Sequence, residues 1–184
     1  MHIAVKRSTP AVDAGFEVET FDRVLLDGPC SALGIRPRLL VQARLRELEQ
    51  AAQYQRMMMR EAAHVLKVGG SMVYSTCTLN PMENEANVAW FLRRYPQMRL
   101  RAQAPVLGGP GITGSGVVRV AGGGERVEEW LLASQAPLVQ RFGCGGGDEG
   151  DTVAFFIAKF EKVASVAPSD SAEPVPELLN ASSS

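Results

Sequence analysis

Apolar and polar positions alternate in blocks along this chain, and each block predicts an element. FDRVLL, Phe21–Leu26, holds the continuous apolar run Val24-Leu25-Leu26. Such a run predicts a strand buried on both faces, and Asp27-Gly28-Pro29 stops it. From Val41 to Lys67, Val41, Leu45, Leu48, Ala52, Met59, Ala62 and Leu66 recur at helical spacings. They mark one face of a helix, long enough for a break at Gln50–Gln53, with Met57-Met58-Met59 filling core and Gly69-Gly70 as the cap. SMVYS, Ser71–Ser75, predicts a second strand. The next helix starts with Asn80 as N-cap, Pro81 at the first position and Glu83 completing a capping box. It runs to Arg94, before Pro96. Strands follow at Met98–Ala102 and Asp151–Phe160, and His2–Lys6 is a weaker one.

Strands alternating with helices predict an α/β fold. The strands are too few for a whole parallel sheet, so they read as the second half of a doubly wound one, its last strands antiparallel. Thirteen of the 18 glycines fall in 108–124 and 143–150, which predicts loops. The Ser/Pro/Ala/Glu-rich stretch from Val163 has little to bury. It sets domain limits of 1–162 for the folded part and 163–184 for a disordered tail.

Composition narrows the class. The 184 residues are 46% apolar and 21% charged, with a net charge of −1. That is an ordinary globular domain, without a strongly basic nucleic-acid coat or a polyacidic tail. No apolar run reaches membrane-spanning length, and Met1–Val12 has no signal-like apolar stretch. Cys30, Cys77 and Cys144 are odd in number and lack CxxC spacing, against a disulfide framework or a metal site. A reducing compartment, cytoplasmic or nuclear, is expected.

Chemistry concentrates after the first two strands. Asp27-Gly28-Pro29-Cys30-Ser31 follows one and Ser75-Thr76-Cys77-Thr78 the other, so both thiols reach the carboxyl edge where such sheets bind ligands. Either Cys alone reads first as a small buried hydrophobe, and it is the pair, each just past a strand end, that points to chemistry. The only histidines, His2 and His64, are poorly placed to serve a cysteine protease. Pyrimidine chemistry fits better. A thiolate adding to carbon 6 of cytosine makes carbon 5 nucleophilic, a carboxyl group can serve the ring's N3 edge, and a base must remove the carbon-5 proton. The free N–H groups of the helix after Cys77 favour a thiolate there, while Glu83 and Glu85 oppose it.

These segments, FDRVLLDGPCSALGIRP and VLKVGGSMVYSTCTLNPMENEANVAWFL, resemble the Sun-type (Nop2/Sun, RsmB-like) RNA (cytosine-5) methyltransferases. The likeness covers Phe21–Phe160, and the branch it resembles methylates tRNA and carries a PUA domain. The resemblance implies the C-terminal half of a Rossmann-like, S-adenosylmethionine-dependent methyltransferase sheet. It implies Cys77 as nucleophile and Cys30 as the residue aiding product release. Asp27 would meet cofactor and target base, and Pro29 and Ser31 would shape the turn beside the substrate. Arg36, with Arg38, would reach RNA phosphate, although a solvated loop explains both equally well. The implied partner is RNA, tRNA in this branch, with no metal and no membrane.

The chain also departs from that family. The glycine-rich cofactor loop and the strand whose acidic end binds ribose are missing from this sequence. Arg7 in VKRSTPAV stands where the family has an Asp. Three readings follow: a methyltransferase completed by an upstream segment or partner chain, a truncated or non-catalytic RNA-binding relative, and an incomplete domain.

Overall fold

The computed structural model describes residues 15–35, 43–119, 124–143 and 152–166. Strand β1 (Phe21–Asp27), helix α1 (Leu45–Val65) and strand β2 (Leu66–Thr76) form one unit in which β1 and β2 pair in parallel. Helix α2 (Glu85–Arg94) leads to β3 (Met98–Arg101). Strands β4 (Ser115–Arg119) and β5 (Glu125–Glu129) pair antiparallel as a separate two-stranded sheet. Strand β6 (Val139–Phe142) and strand β7 (Phe155–Lys162) complete the main sheet. β7 lies antiparallel to β2 on one side. On its other side β6 pairs with its first half and β3 with its second.

One face of the sheet makes the core. Val24 and Leu26, Met72 and Tyr74, and Phe156, Ala158 and Phe160 point to the same side at every second position. Met58, Met59 and Ala62 of α1 and Val88 and Phe91 of α2 pack against them. Both helices therefore cover one face. The strand predicted to be buried on both faces is not, since Leu25 is 52% exposed. It borders an open groove of about 720 Å³, shared with Phe21, Val73, Pro105 and Ile157, which neither thiol lines.

Several expected boundaries move. α1 is continuous through Gln50–Gln53 and ends at Val65, so Gly69-Gly70 is no cap. The chain turns directly into β2, and Gly69 adopts φ +80° within that strand. The Lys162 ammonium takes the cap's role by donating to the carbonyls of Ala63 and Leu66 at 2.9 and 2.7 Å. α2 begins at Glu85, and Asn80–Asn84 form turns before it. The reciprocal box does not form: Asn80 N–H donates to Thr78 Oγ1, Glu83 N–H donates to the Asn80 carbonyl, and the two side chains meet directly, Asn80 Nδ2 donating to Glu83 Oε1 at 3.0 Å. That contact braces a loop and not a helix end. β4 lies inside the glycine-rich stretch expected to be loop, and β6 had no counterpart among the expected strands. Val163 and Ser165 still bond to the body, through Gln97 and Glu19. The expected strand at His2–Lys6, Arg36, Arg38, Cys144 and residues 167–184 lie outside the described residues.

Candidate active site

The parallel register of β1 and β2 sets Asp27 opposite Ser75, so the two strands end together. Ser75 Oγ donates to Asp27 Oδ1 at 2.9 Å. Each chain then turns over the sheet edge. Cys30 Sγ and Cys77 Sγ arrive 3.1 Å apart, both half-buried. Two residues 47 apart in sequence are thus in contact because their strands are neighbours in register.

Glycine makes the first turn feasible. A Cβ on Gly28 would stand 2.1 Å from Met58 Cε, so this loop lies directly on α1. A Cβ on Gly34 would stand 2.7 Å from the Ala154 carbonyl and 2.9 Å from that of Cys77. The close approach is used: Gly34 N–H donates to the Cys77 carbonyl at 3.1 Å, strapping one loop to the other. Ser31 Oγ and Thr78 Oγ1, 2.7 Å apart, form a second strap.

A buried polar layer lies beneath the loops. The Glu83 carboxyl group is fully buried. Its Oε2 accepts from the Ser31 N–H and from Gln55 Nε2, each at 2.9 Å. Gln55 Nε2 also donates to the Pro29 carbonyl at 3.0 Å. Thr76 Oγ1 donates to Asn84 Oδ1 at 2.6 Å, and Asn84 Nδ2 donates to the Thr78 carbonyl at 2.9 Å. None of these partners can be spared without leaving a buried polar atom unpaired.

At Cys77 the electrostatics give a sign that the opposing sequence signals left open. Burial pushes its thiol up, to about 11, with the hydrogen bond and charge of Cys30 and the charge of Asp27 adding to the effect. The helix that was to favour a thiolate starts only at Glu85, eight positions on, with a turn between. Burial likewise raises the Tyr74 phenol, which stays protonated as a donor beneath the site. The thiols act as a pair, because a second negative sulfur at 3.1 Å is disfavoured.

The structure brings together Cys30, Cys77, Asp27 and Ser31, with Pro29 on the same turn. It leaves Arg36 undescribed and holds His64 on α1, edge-on to Tyr95. Gln55 was not foreseen, and Glu83 was read as a helix cap. The available signal for Gln55 was its register. It falls three after Ala52 and four before Met59, a polar residue on the apolar face.

For a cofactor, the described residues offer one exposed carboxylate, Asp27, at the end of β1. It suits a ligand bearing hydroxyl donors or positive charge. The outer edge of β1 pairs with no described strand. The fit to a methyl donor is therefore that of one wall of its site.

The α/β sheet with paired loops at its carboxyl edge is a Rossmann-like methyltransferase architecture, and comparison with known proteins agrees. The family model "16S rRNA methyltransferase RsmB/F" matches residues 3–117, and the chain belongs to that family. It is 46% identical over 157 residues to the rRNA (cytosine-C(5))-methyltransferase NOP2C of Arabidopsis thaliana, covering 85% of this chain and 24% of that protein. It is 35% identical over 164 residues to the mouse tRNA (cytosine(72)-C(5))-methyltransferase NSUN6, covering 84% and 34%. The crystal structure of NSun6 from Pyrococcus horikoshii with SFG superposes with a TM-score of 0.59 at 38% identity. That match covers 76% of this chain and 29% of the other. The chain thus spans about a quarter to a third of the length of these relatives.

Proposed function

We propose that this chain is the catalytic-loop portion of an S-adenosylmethionine-dependent RNA cytosine-5 methyltransferase. Residues 1–162 are its part of the catalytic domain and 163–184 a tail. The observation that carries the reading is the 3.1 Å contact between Cys30 and Cys77 at the carboxyl edge of paired strands, beside Asp27. The relatives named above act on tRNA or on rRNA, so RNA is the substrate class and tRNA the narrower choice.

The two sulfurs divide the work. Cys77 first releases its proton to water while Cys30 stays a thiol donating to it, and the Cys77 thiolate then adds to carbon 6 of cytosine, forming a carbon–sulfur bond and making carbon 5 electron-rich. S-adenosylmethionine, when bound, supplies the methyl group that carbon 5 takes. Cys30 exchanges its proton with water. As thiolate it then takes the carbon-5 proton while the carbon–sulfur bond breaks and the ring double bond returns. Asp27 holds cofactor and base at the strand end, and Pro29 and Ser31 shape the turn against the substrate. Arg36 is assigned to RNA phosphate. The target base must be unpaired or flipped to reach the thiols. The remaining cofactor contacts come from an upstream segment or a partner chain.

The test is covalent trapping on RNA carrying 5-fluorocytosine, where the carbon-5 proton is replaced and release is blocked. With the methyl donor present, wild type forms an adduct and Cys77→Ala forms none. On unmodified RNA, Cys30→Ala accumulates the adduct. Absence of any adduct with donor bound assigns the chain to a non-catalytic RNA-binding role instead.

A further inference from the structure

Gln55 is the fully buried polar residue of α1 that the chemistry above does not use. All of its hydrogen-bonding capacity is engaged. Its Nε2 donates to the Pro29 carbonyl and to Glu83 Oε2. Its Oε1 accepts from Asn87 Nδ2 at 2.9 Å and faces the Tyr74 hydroxyl at 2.9 Å. A side-chain amide alone offers two donors and an acceptor of this kind on a flexible stem of this length.

These partners bracket Cys30. The carbonyl of Pro29, just before it, is held by Gln55. The N–H of Ser31, just after it, is held by Glu83, on the same oxygen that Gln55 grips. Glu83 is in turn tied to Asn80, whose N–H donates to Thr78 Oγ1 at 3.2 Å, next to Cys77. The path from one thiol loop to the other through Gln55 and Glu83 is continuous, and Gln55, Glu83, Asn80 and Thr78 along it are buried.

We propose that Gln55 is a positioning residue: it locks the backbone on either side of Cys30, directly and through Glu83, and so holds Cys30 in contact with Cys77. The proposal deepens the reading of these cysteines as a working pair and rests on it. Gln55 touches neither sulfur and is not itself catalytic.

The test reads geometry without RNA or cofactor. The full chain is treated with diamide, which takes up the two thiol hydrogens as the Cys30–Cys77 disulfide forms. Closing 3.1 Å to a bond of about 2.05 Å needs only a small move. Peptide mapping separates this bridge from any involving Cys144. Wild type is expected to cross-link rapidly. Gln55→Met keeps the bulk but none of the hydrogen bonds, and is expected to slow cross-linking by about tenfold or more. Lys162→Met, which lowers stability elsewhere, is expected to leave the rate unchanged. If folded Gln55→Met cross-links at the wild-type rate, or wild type does not cross-link, the proposal fails. If Gln55→Met does not fold, Tyr74→Phe removes one partner of Gln55 and is expected to slow the reaction; an unchanged rate there also overturns it. RNA trapping is independent of this result, so the function and the positioning role fail separately.

Discussion

Arg56 and Glu128 meet in a two-pronged ion pair across 72 residues of chain, with nitrogen–oxygen distances of 2.8 and 2.6 Å. The pair pins the β4–β5 hairpin to α1, and the Glu128 side chain is only 4% exposed. Arg56 also donates to Asn87 Oδ1 and stacks over Trp90, so one guanidinium gathers α1, α2 and the hairpin. Leaving a buried charge without any partner costs about 3–5 kcal/mol, and Arg126, donating to Glu128 Oε1 at 2.6 Å, offsets part of that when Arg56 is removed. Arg56→Met is expected to lower the unfolding free energy, measured by urea denaturation followed by circular dichroism, by about 1–3 kcal/mol. A change under about 0.5 kcal/mol would show the pair contributes little.

The same carboxylate gives a pH dependence. Burial pushes Glu128 up, but the hydrogen bonds and charges of Arg56 and Arg126 outweigh it and hold it below the usual carboxylate range. The unfolded chain therefore binds the proton more readily than the folded one. This contribution to stability is present above the unfolded value of about 4.3 and is lost as pH falls through the lower folded value. Unfolding scans from pH 6 to pH 3 are expected to show a steeper loss in wild type than in Glu128→Gln.

Cys77 should be a slow nucleophile in the free protein. Its thiol is pushed up to about 11, first by burial and then by Cys30 and Asp27. Iodoacetamide labelling of Cys77 at pH 8 is expected to be slow and to rise through about pH 11. Cys30→Ala removes both the hydrogen bond to Cys77 and the neighbouring sulfur's charge, so the labelling profile is expected to shift to lower pH. Equal profiles would mean that the sulfurs are not coupled.

The elements that carry the thiols were legible because strand and turn signals are local. FDRVLL followed by DGP marks the strand and its end, though not its one open face, and the meeting of Cys30 and Cys77 follows from parallel pairing of their two strands. What stayed hidden was set by partners distant in sequence. α1 ends at Val65 and not at Gly69 because Lys162, some 96 residues on, supplies the donors for its last carbonyls. Glu83 reads as a cap from its spacing to Asn80, yet its other oxygen is turned to Ser31. Gln55 looks like an interruption in an apolar face until the loop above it is known. β4 lies in a glycine-rich stretch with one apolar pair, Val117-Val118, and its pairing with β5 supplies what propensity does not.

Gly34 offers the sharpest steric prediction. The Cβ of an alanine there would lie within 3 Å of two backbone carbonyl oxygens and of the Ala154 methyl group. Backbone atoms in a strapped loop cannot swing aside as a side chain can. Either the Gly34–Cys77 hydrogen bond opens or the segment carrying Ala154 moves. Overpacking of this kind costs about 1–3 kcal/mol. Because Gly34 N–H holds the Cys77 carbonyl, the strain falls on the loop that carries the thiol and not on the core. Gly34→Ala is therefore expected to lower the unfolding midpoint modestly and to slow Cys30–Cys77 cross-linking by diamide. Gly15, with no atom of the described residues within 4 Å of its added Cβ, provides the matched control, and Gly15→Ala is expected to change neither quantity. A Gly34→Ala protein as stable and as quick to cross-link as wild type would mean that the two loops are not packed this closely in solution.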